Sequence, residues 1–147
     1  MSKDALLFFQ AYLKEMISLG GENLPKTISS TLGAKLAKIY KAKGVATIEE
    51  GLKKMYEVIN GKSKIRKISD TQYEVNTEYE NNFCPVGGKF NPEIEEVVHK
   101  SICEPYTQGF LNQFDPSYTY KGEIKECILS SDNSHCIYDF IMNKKED

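Results

Sequence analysis

The sequence predicts an α+β domain: three N-terminal helices, then an antiparallel sheet of two hairpins (ββ-α-ββ) with a long helix packed on it. Three observations point there. Apolar residues recur at helical spacing up to about residue 60. Two-residue alternation replaces it over residues 64–79 and returns near the C-terminus. A second helical stretch, opened by Asn91-Pro92-Glu93, separates the two alternating regions. A chain of 147 residues fits one domain, with a helical part at 1–61 and the sheet and long helix at 62–142.

Each element has its own signal. Asp4 is an N-cap, Leu6, Phe9, Leu13, Met16 and Ile17 form a stripe, and Gly20-Gly21 stops the first helix. Pro25 suits the first turn of the second helix, which carries Ile28, Leu32, Leu36 and Ile39-Tyr40. Gly33-Ala34 is small enough to let another element come close. Thr47 followed by Glu50 is a capping box, and Leu52, Met55, Tyr56 and Ile59 make the third helix amphipathic up to Asn60-Gly61.

Lys64 to Ile68 and Gln72 to Tyr79 read as a hairpin turning at Asp70. Asn81 to Asn91 is a loop holding Cys84-Pro85 and Gly87-Gly88. The long helix then carries Ile94, Val97, Val98, Ile102, Phe110, Leu111 and Phe114, with Pro105 expected to kink it. Tyr118 to Tyr120 and Glu123 to Leu129 read as strand. The segment Ser130 to Ser134 turns the chain, Cys136 to Met142 is the last strand, and residues 143–147 form a charged tail.

Composition narrows the class. Apolar residues make up 40% and charged residues 27%, a globular balance with enough apolar surface for a core. No window approaches the roughly 20 apolar residues of a membrane span, so no transmembrane segment is expected. No small-residue cleavage site follows the short apolar stretch at 5–9, and the chain reads as cytoplasmic. Residues 26–67 hold eleven Lys/Arg against Glu49, Glu50 and Glu57, a local charge of +8 in a chain of net −2. Aromatics do not interleave with these lysines, so the cations read as wet helix faces and no nucleic-acid partner is expected.

In a reducing compartment, four cysteines point to metal or reactivity before disulfides. Cys127 and Cys136 flank a hairpin turn and can face each other across the ladder. Cys103 lies in the long helix, and Cys84 reaches the same place if its loop folds back. Thiolates suit zinc or an iron–sulfur cluster, although the spacing is not that of CxxC knuckles. Buried small hydrophobes are the plain alternative reading of the same residues. His99 stands four residues before Cys103 on one helix face, His135 points away from Cys136 on a strand, and Glu104, Glu123 and Glu126 are oxygen candidates.

Residues about 83–142 resemble the 4-vinyl reductase domain family and its relative, the methanogen output domain. The pieces are Cys84-Pro85 before a helix, Cys103-Glu104-Pro105-Tyr106-Thr107-Gln108-Gly109-Phe110 within it, and Cys127 through Cys136-Ile137-Tyr138-Asp139-Phe140 at the close. The resemblance implies an archaeal-type output-domain architecture related to the transport-particle (TRAPP) subunit fold, often a homodimer. It also implies a structural zinc on Cys103, Cys127 and Cys136. The family's glutamate, three residues before the second cysteine, is Ile124 here. Cys84 is then the first choice for the fourth ligand, with Glu123 or Glu126 as the others. The implied activity is sensing of a small hydrophobic or aromatic ligand, in a pocket lined by Phe8, Phe9, Tyr12, His99, Tyr106, Phe110 and Phe114, each of which also reads as plain core.

Enzyme motifs do not emerge. Gly87-Gly88 lacks the Lys-Ser/Thr of a phosphate loop, and there is no Gly-x-Ser-x-Gly elbow. The domain therefore reads as non-catalytic. Haem or another tetrapyrrole, on Cys84-Pro85 or His99, is a second reading. A protein–protein adaptor is a third.

Overall fold

A computed structural model of the chain describes residues 3–89, 91–131 and 134–146. The parts of the expected turn at Asp132-Asn133, of the loop at Phe90 and of the tail at Asp147 lie outside the described residues.

Helices α1 (Lys3–Gly20), α2 (Asn23–Ala42) and α3 (Ile48–Glu57) come first. Asp4 falls in the first turn of α1 rather than capping it. Thr47 caps α3 as expected, its hydroxyl accepting from the Glu50 N–H at 3.2 Å. Strands β1 (Lys62–Lys67) and β2 (Gln72–Glu78) form the first hairpin. Then α4 (Glu95–Val98) runs through a π turn (His99–Cys103) into α5 (Glu104–Phe114). Strand β3 (Tyr118–Glu126), a single helical turn α6 (Ile128–Ser131) and β4 (His135–Lys144) complete the chain.

Two details differ from expectation, for physical reasons. At the position of the expected Pro105 kink the helix carries a π turn: Glu104 N–H reaches back five residues to the His99 carbonyl, just before the residue that has no N–H to give. The third strand stops at Glu126, because a bulge between Ile124 and Glu126 shifts its register and Ile128–Leu129 then coil inward, both fully buried.

The sheet order is β1-β2-β4-β3, all antiparallel, so the two hairpins join through β2 and β4. Alternation puts Tyr73, Val75, Thr77, Tyr138, Phe140 and Met142 on the buried face against the helices. Tyr73 stacks on its cross-strand partner Phe140, ring centroids 5.2 Å apart.

Helix α2 packs on α5 through small residues. Its buried positions are Pro25, Ser29, Gly33 and Ala37. A side chain on Gly33 would collide with the Tyr106 carbonyl, and one on Gly109 with the Ser30 carbonyl. Four large apolar residues of this helix consequently point outward, Leu24, Ile28, Leu32 and Ile39, while Leu36 and Tyr40 pack against the core. Helix α1 does the same with Leu7, Phe8, Tyr12 and Leu19.

Candidate functional site: a thiol-lined cavity between helix and sheet

The core has two parts. The larger one, around Phe110, Phe140 and Leu52, fills the space under α3 and α5. The smaller one gathers Cys84, Cys103, Cys127 and Cys136 with Leu13, Tyr79, Val98 and Leu129. Between the two lies an enclosed, almost wholly apolar cavity of about 50 Å³. All four cysteines line it, together with His99 and Tyr106.

Separate devices place the four thiols. Cys84 belongs to a tight loop in which Cys84 and Gly88 exchange backbone hydrogen bonds of 2.8 and 2.9 Å. Gly88 takes φ +87°, a conformation that suits glycine. The Gly87 N–H donates to Cys84 Sγ at 3.3 Å. Gln10 of α1 pins this loop, its amide lying 3.3 Å from the carbonyls of both Cys84 and Pro85. Cys103 closes the π turn. Cys136 is on the inner face of β4 opposite Thr77, and Cys127 follows the Glu126–Ile137 pair, so it stands beside Cys136.

The electrostatics are asymmetric. The Cys136 thiol donates to the Cys127 sulfur, and with help from His99 and the Leu129 backbone this overrides burial and holds the Cys127 thiol down at about 5. Cys136, as donor beside that charge, is pushed far up. Burial pushes Cys84 up to about 11 and Cys103 well above its ordinary value. Burial works against a charge on His99, but the neighbouring Cys127, Glu95 and Glu104 outweigh it and raise the imidazole. His99 Nδ1 lies 3.9 Å from Glu95, while its buried Nε2 has no hydrogen-bond partner.

The remaining candidates are dispersed. Phe110 and Phe114 are buried core, stacked on each other at 5.5 Å. Phe8, Phe9 and Tyr12 stand on the exposed side of α1 and line no part of the cavity, whereas Leu13 and Ile17 of the same helix pack into the small core. Glu123 and Glu126 leave by the opposite face of the sheet, where Glu123 holds Lys125 at 2.6 Å and Glu126 holds His135 at 3.1 Å. Strand alternation removes both from the thiols. Glu104 is not among the cavity's lining residues. Sequence reasoning missed Tyr56, Ile59 and Tyr79 as parts of the wall, while Ile124, the position of the family's glutamate, does line it. Only pairing across distant elements brings them there.

The donor set fits a thiophilic ion in kind: four thiols and an imidazole with an unpartnered nitrogen around one small space. Among the described residues, no three donors are close enough together to hold an ion as they stand.

No family model matches the chain, and no curated protein matches it. Solved structures do. A trafficking protein particle complex subunit 3 from Naegleria fowleri, covalently bound to palmitic acid, superposes with a TM-score of 0.66 at 12% identity, covering 97% of this chain and 96% of that one. The phenol-responsive sensory domain of the transcription activator PoxR, solved with phenol, gives a TM-score of 0.55 at 14% identity, covering 92% of this chain and 73% of that one.

These likenesses show the fold.

Among the described residues, no helix is long and apolar enough to cross a membrane.

Proposed function

We propose that this chain is a non-catalytic, small-molecule-binding sensory domain of the 4-vinyl reductase type, stabilised by zinc on Cys84, Cys103, Cys127 and Cys136. The observation that carries the reading is the enclosed apolar cavity between helix and sheet, which all four thiols and His99 line. Zinc would tie the Cys84 loop, the π turn and the last hairpin into one unit. His99 and Tyr106 would then face a ligand that is small, apolar and able to accept or donate one hydrogen bond. The PoxR sensory domain, solved with phenol, supports this ligand class.

Cavity size constrains the ligand. Ordinary small-molecule pockets measure roughly 300–1,000 Å³. At about 50 Å³ this one admits a molecule of aromatic size only if a wall yields. An open groove of about 570 Å³ adjoins it and shares Ile59, Tyr79 and Pro85 with it. The Cys84-Pro85 loop is therefore the wall that gives way.

Metal analysis with native mass spectrometry tests the zinc. One zinc per chain without visible colour supports it, whereas a chromophore would signal an iron–sulfur cluster or haem and sink it. A thermal-shift screen of phenols and small hydrocarbons tests the sensor, and no stabilisation by any of them would count against it.

A second reading, an adaptor like the transport-particle subunits, is favoured by the outward apolar faces of α1 and α2. Homodimerisation through those faces serves either reading. The sequence-level expectation of a cytoplasmic protein accords with both.

A further inference from the structure

We propose that Cys127 and Cys136 close into a reversible disulfide when the chain meets a small hydroperoxide, making the tip of the β3–β4 hairpin an oxidant-responsive site. The inference shares its thiols with the zinc reading but does not depend on it.

Strand register comes first. Glu126 pairs with Ile137, so the next opposed positions are Cys127 and Cys136. Residues directly opposed in an antiparallel ladder have Cα atoms about 4.5–5.5 Å apart, within the roughly 4.4–6.8 Å that a disulfide spans. The two side chains already meet, Cys136 S–H donating to the Cys127 sulfur. None of the four cysteines is in a disulfide in this state. The other two are differently engaged: Cys84 Sγ takes the Gly87 N–H within its own loop, and Cys103 is held on the π turn.

Size selects the oxidant. A cavity of about 50 Å³ takes a few heavy atoms, so hydrogen peroxide fits where a glutathione disulfide does not. The adjoining groove, walled by the shared Ile59, Tyr79 and Pro85, gives the approach. His99 lines the cavity with its buried Nε2, and its imidazole interacts with the Cys127 sulfur in the same small space.

The chemistry balances in two steps. The Cys127 sulfur attacks one peroxide oxygen, the O–O bond breaks, and a sulfenic acid and one water result. The Cys136 sulfur then attacks the Cys127 sulfur, the S–O bond breaks, the S–S bond forms, and a second water leaves with the Cys136 proton. Two thiols lose two electrons, and one peroxide gains them. A dithiol reductant reverses the change by exchange.

The test treats the full chain with hydrogen peroxide, alkylates it under denaturing conditions and digests it with trypsin. No Lys or Arg lies between Lys125 and Lys144, so both cysteines fall in one peptide. The expected result is loss of two hydrogens from that peptide and of both its alkylation sites, restored by dithiothreitol. Cys136→Ser should instead leave a sulfenic acid on Cys127 that dimedone captures, and Cys84→Ser should leave the disulfide intact. Sulfinic or sulfonic Cys127 in the unsubstituted chain, or two thiols that still alkylate, would overturn the proposal. So would loss of the bridge in Cys84→Ser. Running the test on chelator-stripped protein keeps it separate from zinc: failure to bind metal removes the zinc reading and leaves this experiment valid. Where zinc does bind, peroxide should release it in step with the disulfide, as a chromogenic chelator reads.

Discussion

Cys127 and Cys136 are the next opposed positions beyond the Glu126–Ile137 pair of the β3–β4 ladder, and the proton they share holds the Cys127 thiol well below its ordinary value, at about 5, while pushing Cys136 up. In the metal-free protein this fixes a sign. An unfolded cysteine releases its proton near about 8.5. Between the two values the unfolded chain binds the extra proton, so the Cys127 contribution grows as pH rises through that window and is lost as pH falls through 5. His99, raised above its ordinary value, acts oppositely, its contribution fading as pH rises past its own titration. Above about 8.5 the raised Cys84, Cys103 and Cys136 reverse the trend, because the native state now holds the protons. Urea midpoints across pH measure this. In Cys136→Ala, thiolate absorbance should titrate at a higher pH than in the parent chain; an unmoved midpoint would refute the assigned cause.

Backbone contact between α2 and α5 gives a sharper stability prediction. Gly109→Ala and Gly33→Ala each force a methyl into a carbonyl, of Ser30 and Tyr106 respectively. Each should cost about 2 kcal/mol or more. Gly20→Ala, where nothing lies within 4 Å, serves as the control and should stay within about 0.5 kcal/mol. Chemical denaturation with circular dichroism resolves the difference.

Phe110 and Phe8 should behave as opposites. Phe110 is fully buried, so Phe110→Ala should destabilise by about 3–5 kcal/mol. Phe8 is 73% exposed, so Phe8→Ser should leave the monomer's stability nearly unchanged. Combined with Leu32→Ser, it should instead lower the oligomeric mass seen by sedimentation, if the α1–α2 face joins two copies.

Zinc makes a separate demand on Cys103. If the ion is bound, Cys103→Ser should weaken its retention by about tenfold or more. Tm should fall by several degrees in the loaded protein. A chelator should bring the parent chain to the same lower Tm. Unchanged melting in both would mean that the thiols are packing groups.

Much of the architecture was legible in the chain. Period-two alternation located both hairpins, and the opposition of Cys127 and Cys136 followed from a turn flanked by cysteines. The rest was hidden where local signals compete with long-range pairing. A bulge at Ile124–Glu126 is a property of two strands together, so the inward coil of Ile128–Leu129 read as strand. The aromatics of α1 entered the expected pocket through the family resemblance, and periodicity could not correct this, since it shows that a helix has an apolar face without showing which way it points. On α2 the small residues took the inside, which inverted the usual assignment. Glu126 seemed near the thiols in sequence, yet alternation sends it through the sheet to His135.

Gln10 reaches from α1 to the Cys84 loop, beside the packing that Leu13 makes in the same small core. Its backbone rides on a helix whose outer side is bare and apolar, and its amide grips the two carbonyls that frame Cys84. Anything that seizes α1 from outside thereby takes hold of a handle fixed to the lid of the thiol chamber. Surface and interior are joined there by one polar side chain as well as by apolar packing.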